Sequence, residues 1–325
     1  MNGSFRVLVR YWWRESRSLW LTCAIGLFLF CWIRVWIISQ LPTSSFEIIA
    51  EQLWEKYERF STVPFRQLIS YHGRVALAFD EPIILLGIAI WAIARGSDTV
   101  SGKLSRGTME ILLAQPVSRH ALYYSQGLVT LMGIAALVMV VWCGIAVGIA
   151  TVKVPIEQRP VIPLPLPGLP QVPVPFVKPR IEYVPISEKT AAIYFLPAAV
   201  NLGCWGVLVA GLATAWSACD RHRGRTVGAV VLFLAVELVL RLVSMASPAW
   251  SWLQYFTIFL AYDPQALVHV AVTQPELLWA WTRTDLQGNL TLGPLGCYAV
   301  LLVPGLFLFL IGGWYFQRRD LPAPI

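Results

Sequence analysis

Charge is what this chain has least of. Asp, Glu, Lys and Arg make up 13% of its 325 residues, about half the share of an average soluble domain. A mean hydropathy of +0.63 leaves too little polar surface to cover a soluble globule of this size. Histidine is also scarce, with four scattered residues and no spacing that would hold a metal. The six cysteines, Cys23, Cys31, Cys143, Cys204, Cys219 and Cys297, form no C-x-x-C pair. Five lie inside apolar runs and Cys219 at the end of one, so they read as small hydrophobes. Motifs of bond-breaking chemistry are missing too: there is no H-E-x-x-H, no G-x-S-x-G and no intramembrane catalytic pair. Gly96 to Lys103 imitates a phosphate-binding loop, but five residues rather than four separate Gly96 from Gly102. Leu104 stands where the Mg²⁺-binding hydroxyl would be, and no buried strand precedes it. No nucleotide, metal or other cofactor is expected on this chain, and it does not read as an enzyme.

What is abundant is apolar sequence, 57% of residues, arriving in runs of about 20 separated by charged or proline-rich gaps, the pattern of a helical membrane protein. Six spans are expected, over residues 19–39, 75–95, 121–150, 191–218, 226–246 and 295–316. Each offers the ~20 residues that cross ~30 Å of hydrocarbon. The second is irregular. Its clean run, Ile83 to Ala94, would be only about 18 Å long as a helix and must borrow length on one side. Borrowing upstream puts Asp80, Glu81 and Pro82 in the outer leaflet, facing protein or water. Alternatively Asp80 is a helix N-cap, with Glu81 and Pro82 in the first turn. The first run is too long for a signal-peptide core and lacks a small-residue cleavage site, so it reads as a retained anchor.

Charge then predicts orientation. With the N-terminus in the cytoplasm, the inner segments hold thirteen Lys or Arg against five acids, and the outer segments ten against twelve. Every short inner loop is net positive, as the positive-inside rule requires. The pI of about 9.2 is thus ascribed to topology and contact with membrane lipids rather than to nucleic acid.

Outside the spans, residues 1–18 space Arg6, Arg10, Arg14 and Arg17 around Tyr11, Trp12 and Trp13, as expected of an interfacial helix on the inner face. Residues 43–60 read as an outer amphipathic helix capped by Ser44 or Ser45. Ten prolines between Pro155 and Pro185 exclude a helix or central strand there and predict polyproline-II or extended coil in the outer loop 151–190. The outer segment 247–294, rich in Trp and Tyr, is expected to form short interfacial helices, part of it dipping into the bundle.

The loop of residues 96–120 is the most informative. Asp98 can cap a first helical turn, Thr108 a short helix from Met109 to Gln115 with Glu110 at its positive end, and Ser118 the helix of the third span. Met109, Ile111, Leu112 and Leu113 make the short helix apolar although it faces the cytoplasm, and such a helix needs a partner surface. Gly96-Ser97-Asp98-Thr99-Val100-Ser101-Gly102, then Gly107-Thr108-Met109-Glu110-Ile111-Leu112-Leu113 and Pro116-Val117-Ser118-Arg119, resemble the signature loop of ABC-2 type transporter permeases. That loop commonly reads E-x-x-x-G-T-L-E-L-L-L-x-x-P-V-S-R; here Lys103 and Met109 replace the usual acid and leucine. The ending Phe316-Gln317-Arg318-Arg319-Asp320-Leu321 is similar to the family's as well.

The resemblance implies an all-α membrane protein of six transmembrane helices, with an N-terminal interfacial helix, a cytoplasmic coupling helix and an extended proline-rich outer loop. It implies a permease subunit in the cell inner (plasma) membrane, both termini cytoplasmic, docked on a separate ABC ATPase that carries ATP and Mg²⁺. A second copy or a related permease chain would complete the transporter, which would act in export. Leu104 to Leu113 would form the coupling helix, with Arg221 and Arg223 in the second inner contact. Two other readings stay open: an ATPase-coupled membrane scaffold that moves no substrate, and a membrane-embedded enzyme acting on lipid-linked substrates.

Intramembrane polar residues complete the candidates. Arg34 reads as snorkelling to outer headgroups. Glu237 and Arg241, at i and i+4, can pair, either as a structural pair or on a translocation path. Asn201, Asp80 and Glu81 are the other path candidates, although Asn201 also suits interhelical hydrogen bonding.

Overall fold

The computed structural model describes residues 3–40, 63–158, 161–162, 172–173, 180–284 and 290–320. The expected outer helix of residues 43–60 and the tail beyond residue 320 lie outside them. Six helical segments among the described residues are long and apolar enough to cross a membrane: Gly3–Gln40, Tyr71–Ser97, Arg119–Thr151, Ala192–Cys219, Arg223–Ala246 and Pro294–Arg318. The chain is a multi-pass membrane protein built mainly from helices.

In chain order the helices are α1 (Gly3–Gln40), α2 (Phe65–Ile69), α3 (Tyr71–Ala76), α4 (Pro82–Ser97), α5 (Ser101–Ser105) and α6 (Thr108–Leu113). They continue with α7 (Arg119–Thr151), α8 (Leu196–Cys219), α9 (Arg223–Ala246), α10 (Pro264–Thr273) and α11 (Pro294–Arg318). α4, α7 and α8 form the middle of the bundle; α1 lies along α7, and α11 along α8. α9 is the least buried span and sits at the edge.

Two expectations about the spans change. The separate interfacial helix of residues 1–18 is instead the start of one 38-residue helix, α1. No proline interrupts Gly3–Gln40, so nothing breaks it. At 1.5 Å per residue α1 is roughly 57 Å long, far more than ~30 Å of hydrocarbon, and its first turns project beyond the spans. Trp12 there is buried, its indole N–H donating to Ser125 Oγ of α7 at 3.0 Å. The second span does borrow upstream, but as a broken helix: α3, then a 3-10 turn Leu77–Asp80, then α4. Asp80 ends the 3-10 turn and is not the N-cap; Glu81 holds that position without a side-chain capping bond. Pro82 at the first helical position starts α4, because its missing N–H has no partner to lose there.

The expectation for the proline-rich loop also changes at its ends. Strand β1 (Lys153–Gln158) pairs antiparallel with β4 (Arg180–Pro185), with Pro155 opposite Tyr183, and between them β2 (Val161–Ile162) pairs with β3 (Val172–Pro173). A two-stranded ribbon has only edge strands, where proline is tolerated. In the segment expected to lie outside, residues 247–294, 3-10 turns Pro248–Phe256 and Ile258–Leu260 precede α10, and strands β5 (Thr282–Thr284) and β6 (Leu290–Leu292) pair antiparallel before α11. α10 is mostly buried against α8 and α3, so this part does dip into the bundle.

Candidate functional site

The end of the bundle where α4 stops and α7 starts gathers most of the candidate residues. A buried cluster of hydroxyls fastens α5 there. Val100 and Ser101 donate their backbone N–H groups to Ser217 Oγ of α8, at 3.1 and 2.9 Å, and Ser217 Oγ donates to Ser97 O at 3.0 Å. Ser101 Oγ donates to Ser97 O at 2.8 Å and lies 3.1 Å from Thr226 Oγ1 of α9. All four hydroxyl residues are fully buried. Spans two, four and five are thereby joined through α5. Sequence reasoning missed this cluster; its only signal was the i, i+4 spacing of Ser97 and Ser101 beside a span end.

The expected coupling helix over residues 104–113 is two short helices. Gly107 between them has φ +68, a left-handed backbone that favours glycine. Gly107, not Thr108, is the residue before α6; Thr108 is its first helical residue and donates from Oγ1 to Lys103 O at 3.3 Å. Asp98 likewise follows α4 rather than capping a new helix, and pairs with Arg106 at 2.7 Å. Ser118 does cap α7, accepting from Ala121 N at 3.2 Å.

α6 is not apolar all round. Met109 is buried among Val100, Tyr123, Ala218 and Phe316, with Leu104 and Leu113 packed alongside. Leu112 and Leu113 lean on Trp12, Leu122 and Val129. The spacing of 109, 112 and 113 puts these three on one helix face. That rotation turns Glu110 and Ile111 outward, and Ile111 is 66% exposed. A groove of about 520 Å³ between the start of α1 and the first turns of α7 is lined by Phe5, Pro116, Val117 and His120.

The loop between α8 and α9 closes the same end. Asp220 Oδ1 accepts from Arg221 N at 2.6 Å and His222 N at 3.0 Å, leaving the Arg221 side chain exposed. Arg223 is partly turned inward, donating to Ser97 Oγ at 3.3 Å and Ala94 O at 3.4 Å. Arg319 donates to Ala218 O at 2.7 Å, and Arg119 to Arg319 O at 2.7 Å, which seals the end of α11 against α7 and α8.

Lys103 is buried at 2% exposure. Its Nζ lies 3.9 Å from the centre of the Trp12 ring, and it donates to Thr99 O at 3.3 Å and to Gln126 Oε1. Gln126 in turn donates to Arg95 O at 3.2 Å. Burial pushes the Lys103 ammonium down to about 7, against the pull of Asp98; Arg95 pushes the same way as burial, Glu15 opposes it and Arg106 reinforces it. The folded chain therefore gives up this proton before the unfolded chain does. Between pH 7 and the ordinary lysine range the unfolded state binds more protons, so stability rises with pH there, by up to ~1.4 kcal/mol per unit. Below about 7 the cost of the buried charge is fully present. Thermal melting in detergent should show a midpoint that climbs from pH 7 to 9 in the parent chain and climbs less in Lys103→Met; equal slopes would refute this role for Lys103.

At the opposite end, the intramembrane polar candidates converge on one stretch, Thr257 to Gln265. Glu237 and Arg241 do not form the expected pair. Glu237 Oε2 accepts from Ile258 N at 2.9 Å, because an unpaired backbone N–H on the incoming segment competes for the carboxylate. Arg241 sits over the Phe259 ring at 5.2 Å. Asn201, fully buried, donates to Ala261 O at 3.0 Å. Tyr262 donates to Phe79 O at 2.7 Å, and Asp80 accepts from Gln265 at 2.8 Å. Glu81 pairs with Arg34 at 3.2 Å, so Arg34 bridges to the broken second span instead of reaching only for headgroups. No group of three or more His, Cys, Asp or Glu able to hold a metal occurs among the described residues. No family model matches the chain, and no curated protein matches it.

Proposed function

We propose that this chain is the membrane-spanning permease subunit of an ABC-2 type ATP-binding-cassette transporter, driven by a separate ABC ATPase. The observation that carries the reading is α6. Three of its apolar side chains fasten it to the bundle, while Ile111 and Glu110 point away from it. An exposed large apolar residue on a short helix braced from behind suits a lever contacted by a partner. Arg221 and Arg225, exposed at the same end, add a basic rim.

The proposed mechanism is mechanical. ATP and Mg²⁺ stay on the ATPase, whose closure presses α6; the hydroxyl cluster passes that displacement to α4, α8 and α9 together. Two conformations of the bundle differ in their affinity for the ATPase's two states, and that difference drives the switch. The excess of Lys and Arg at this end supports its placement in the cytoplasm, with both termini, in the inner (plasma) membrane. A second copy or a related permease would complete the pore, and export is the proposed direction.

The test is recovery of the tagged chain from its native membranes, with the bound proteins identified and the eluate assayed for ATP hydrolysis. An ATP-binding-cassette subunit should co-purify, and hydrolysis should respond at least severalfold to removal of the permease. An eluate with no such subunit and no ATPase activity would refute the reading.

A further inference from the structure

Beside α9, at the end opposite α6, lies a cavity of about 150 Å³. Its lining includes Arg241 and Met245 of α9, Phe259 and Asp263 from the stretch Thr257 to Gln265, and Arg283 and Thr291 from the β5–β6 pair. Two arginines therefore face one carboxylate. Asp263 is occupied: Oδ1 accepts from Ala266 N at 3.1 Å to cap α10, and Oδ2 pairs with Arg283 at 3.2 Å. Even so, the buried Arg283 Nε has no hydrogen-bond partner among the described residues.

The Arg241 guanidinium makes no hydrogen bond or ion pair among the described residues and lies over the Phe259 ring, 5.2 Å from its centre. The carboxylates nearby are engaged elsewhere, Glu237 by Ile258 N and Asp80, within range of Arg241's charge, by Gln265. A guanidinium at membrane depth without a hydrogen-bonded counter-charge is costly. Its five donors in a planar fork suit a carboxylate or phosphate.

The surroundings specify the rest of the ligand. Leu238, Val239 and Leu242 of α9 are 47%, 56% and 54% exposed. Trp250, Trp252, Tyr255 and Phe256 are exposed on the adjoining 3-10 turn, which packs on α9. An anionic group in the cavity could thus continue into a hydrocarbon tail along α9, with aromatic rings at the headgroup boundary.

We infer that this cavity binds the anionic head of an amphiphile, one phosphate or carboxylate held by Arg241 with Arg283 beside it, its acyl chain lying on α9. The site is remote from α6 and stands independently of the ATPase reading.

The probe is a photoactivatable phosphatidic acid presented to the full chain in phosphatidylcholine nanodiscs. Crosslinking should map to α9 or the 248–260 stretch and be displaced by unlabelled phosphatidic acid or oleate, but not by added phosphatidylcholine or inorganic phosphate. Arg241→Leu should lower the yield at least tenfold, and Arg241→Lys should retain part of it. Met245→Trp, which fills the cavity and leaves Arg241 in place, should lower it as well and carries the test if Arg241→Leu does not fold. Unchanged labelling in the folded variant, or equal displacement by phosphatidylcholine, would overturn the site. Displacement by inorganic phosphate alone would overturn the amphiphile.

Discussion

Replacing Gly211 with valine is expected to unfold the seam between α8 and α11 and to lower the melting midpoint of the purified chain by roughly 5–10 °C. A Cβ at Gly211 would fall on Gly305 O, and one at Gly305 would stand 2.7 Å from Leu208 Cα. At Gly312 the same addition meets Ala215 Cα at 2.8 Å. At Gly211 and Gly305 the obstacles are all backbone atoms of the facing helix, so no side-chain rotation relieves them. Small residues that let backbones approach this closely are the main source of helix association in lipid, where the hydrophobic effect between spans is absent. Overpacking a tight core costs about 1–3 kcal/mol and more where the backbone itself must move, and each kcal/mol shifts the midpoint of a chain this large by roughly 2–4 °C. Gly203→Ala in the same helix is the control, since its added Cβ would meet only Val138 at 3.6 Å, an ordinary contact. Gly211→Val melting within about a degree of the parent while Gly203→Ala does the same would refute the seam.

Ile111→Asp is expected to abolish recovery of the proposed ATPase partner with the chain while leaving its melting midpoint unchanged. The side chain is 66% exposed and lies outside the buried clusters, so its loss removes little from the fold. A central apolar anchor in an interface commonly contributes 2 kcal/mol or more, and a carboxylate put in its place must also be desolvated. Together these predict a drop in affinity of at least about a hundredfold. Leu112→Asp separates the two roles of α6. Leu112 packs inward beside Trp12 and Leu122, so that substitution should destabilise the chain as well as reduce docking. Full ATPase recovery with Ile111→Asp would remove α6 from the contact.

Both predictions rest on features of unequal legibility. Five of the spans were visible as runs of about 20 apolar residues because lipid demands that length and tolerates little else. The break in the second was visible as a conflict, since Asp80, Glu81 and Pro82 interrupt a run too short to cross. How it is resolved depends on tertiary partners, Arg34 for Glu81 and Gln265 for Asp80, which no local pattern announces. The continuity of α1 followed from the absence of breakers, yet its arginines and aromatics also suited a separate surface helix; the burial of Trp12 against α7 is a long-range fact.

Short-range spacing misled at Glu237 and Arg241. Positions i and i+4 favour a pair, but the stretch Thr257 to Gln265 brings Ile258 N to the carboxylate and Phe259 to the guanidinium. Aromatic content alone predicts that this stretch stays near the membrane. That part of it dips into the bundle was expected, but its partners on α8, α9 and the second span were hidden, because the hydrogen bonds that hold it come from single residues scattered over the chain. At α6 the composition was legible and the rotation was not: four apolar residues in a row of six look alike in sequence, and only packing on Tyr123 and Trp12 leaves Ile111 facing outward.

The account depends on the α6 end lying in the cytoplasm, where an ATPase can reach it. Gln115, exposed just beyond α6, offers the direct measurement. Gln115→Cys is introduced into a chain whose three incompletely buried cysteines, Cys23, Cys143 and Cys219, are replaced by alanine. A membrane-impermeant maleimide should label it in inverted membrane vesicles and leave it untouched in intact cells. Labelling in intact cells, or in neither preparation until detergent is added, would contradict the account.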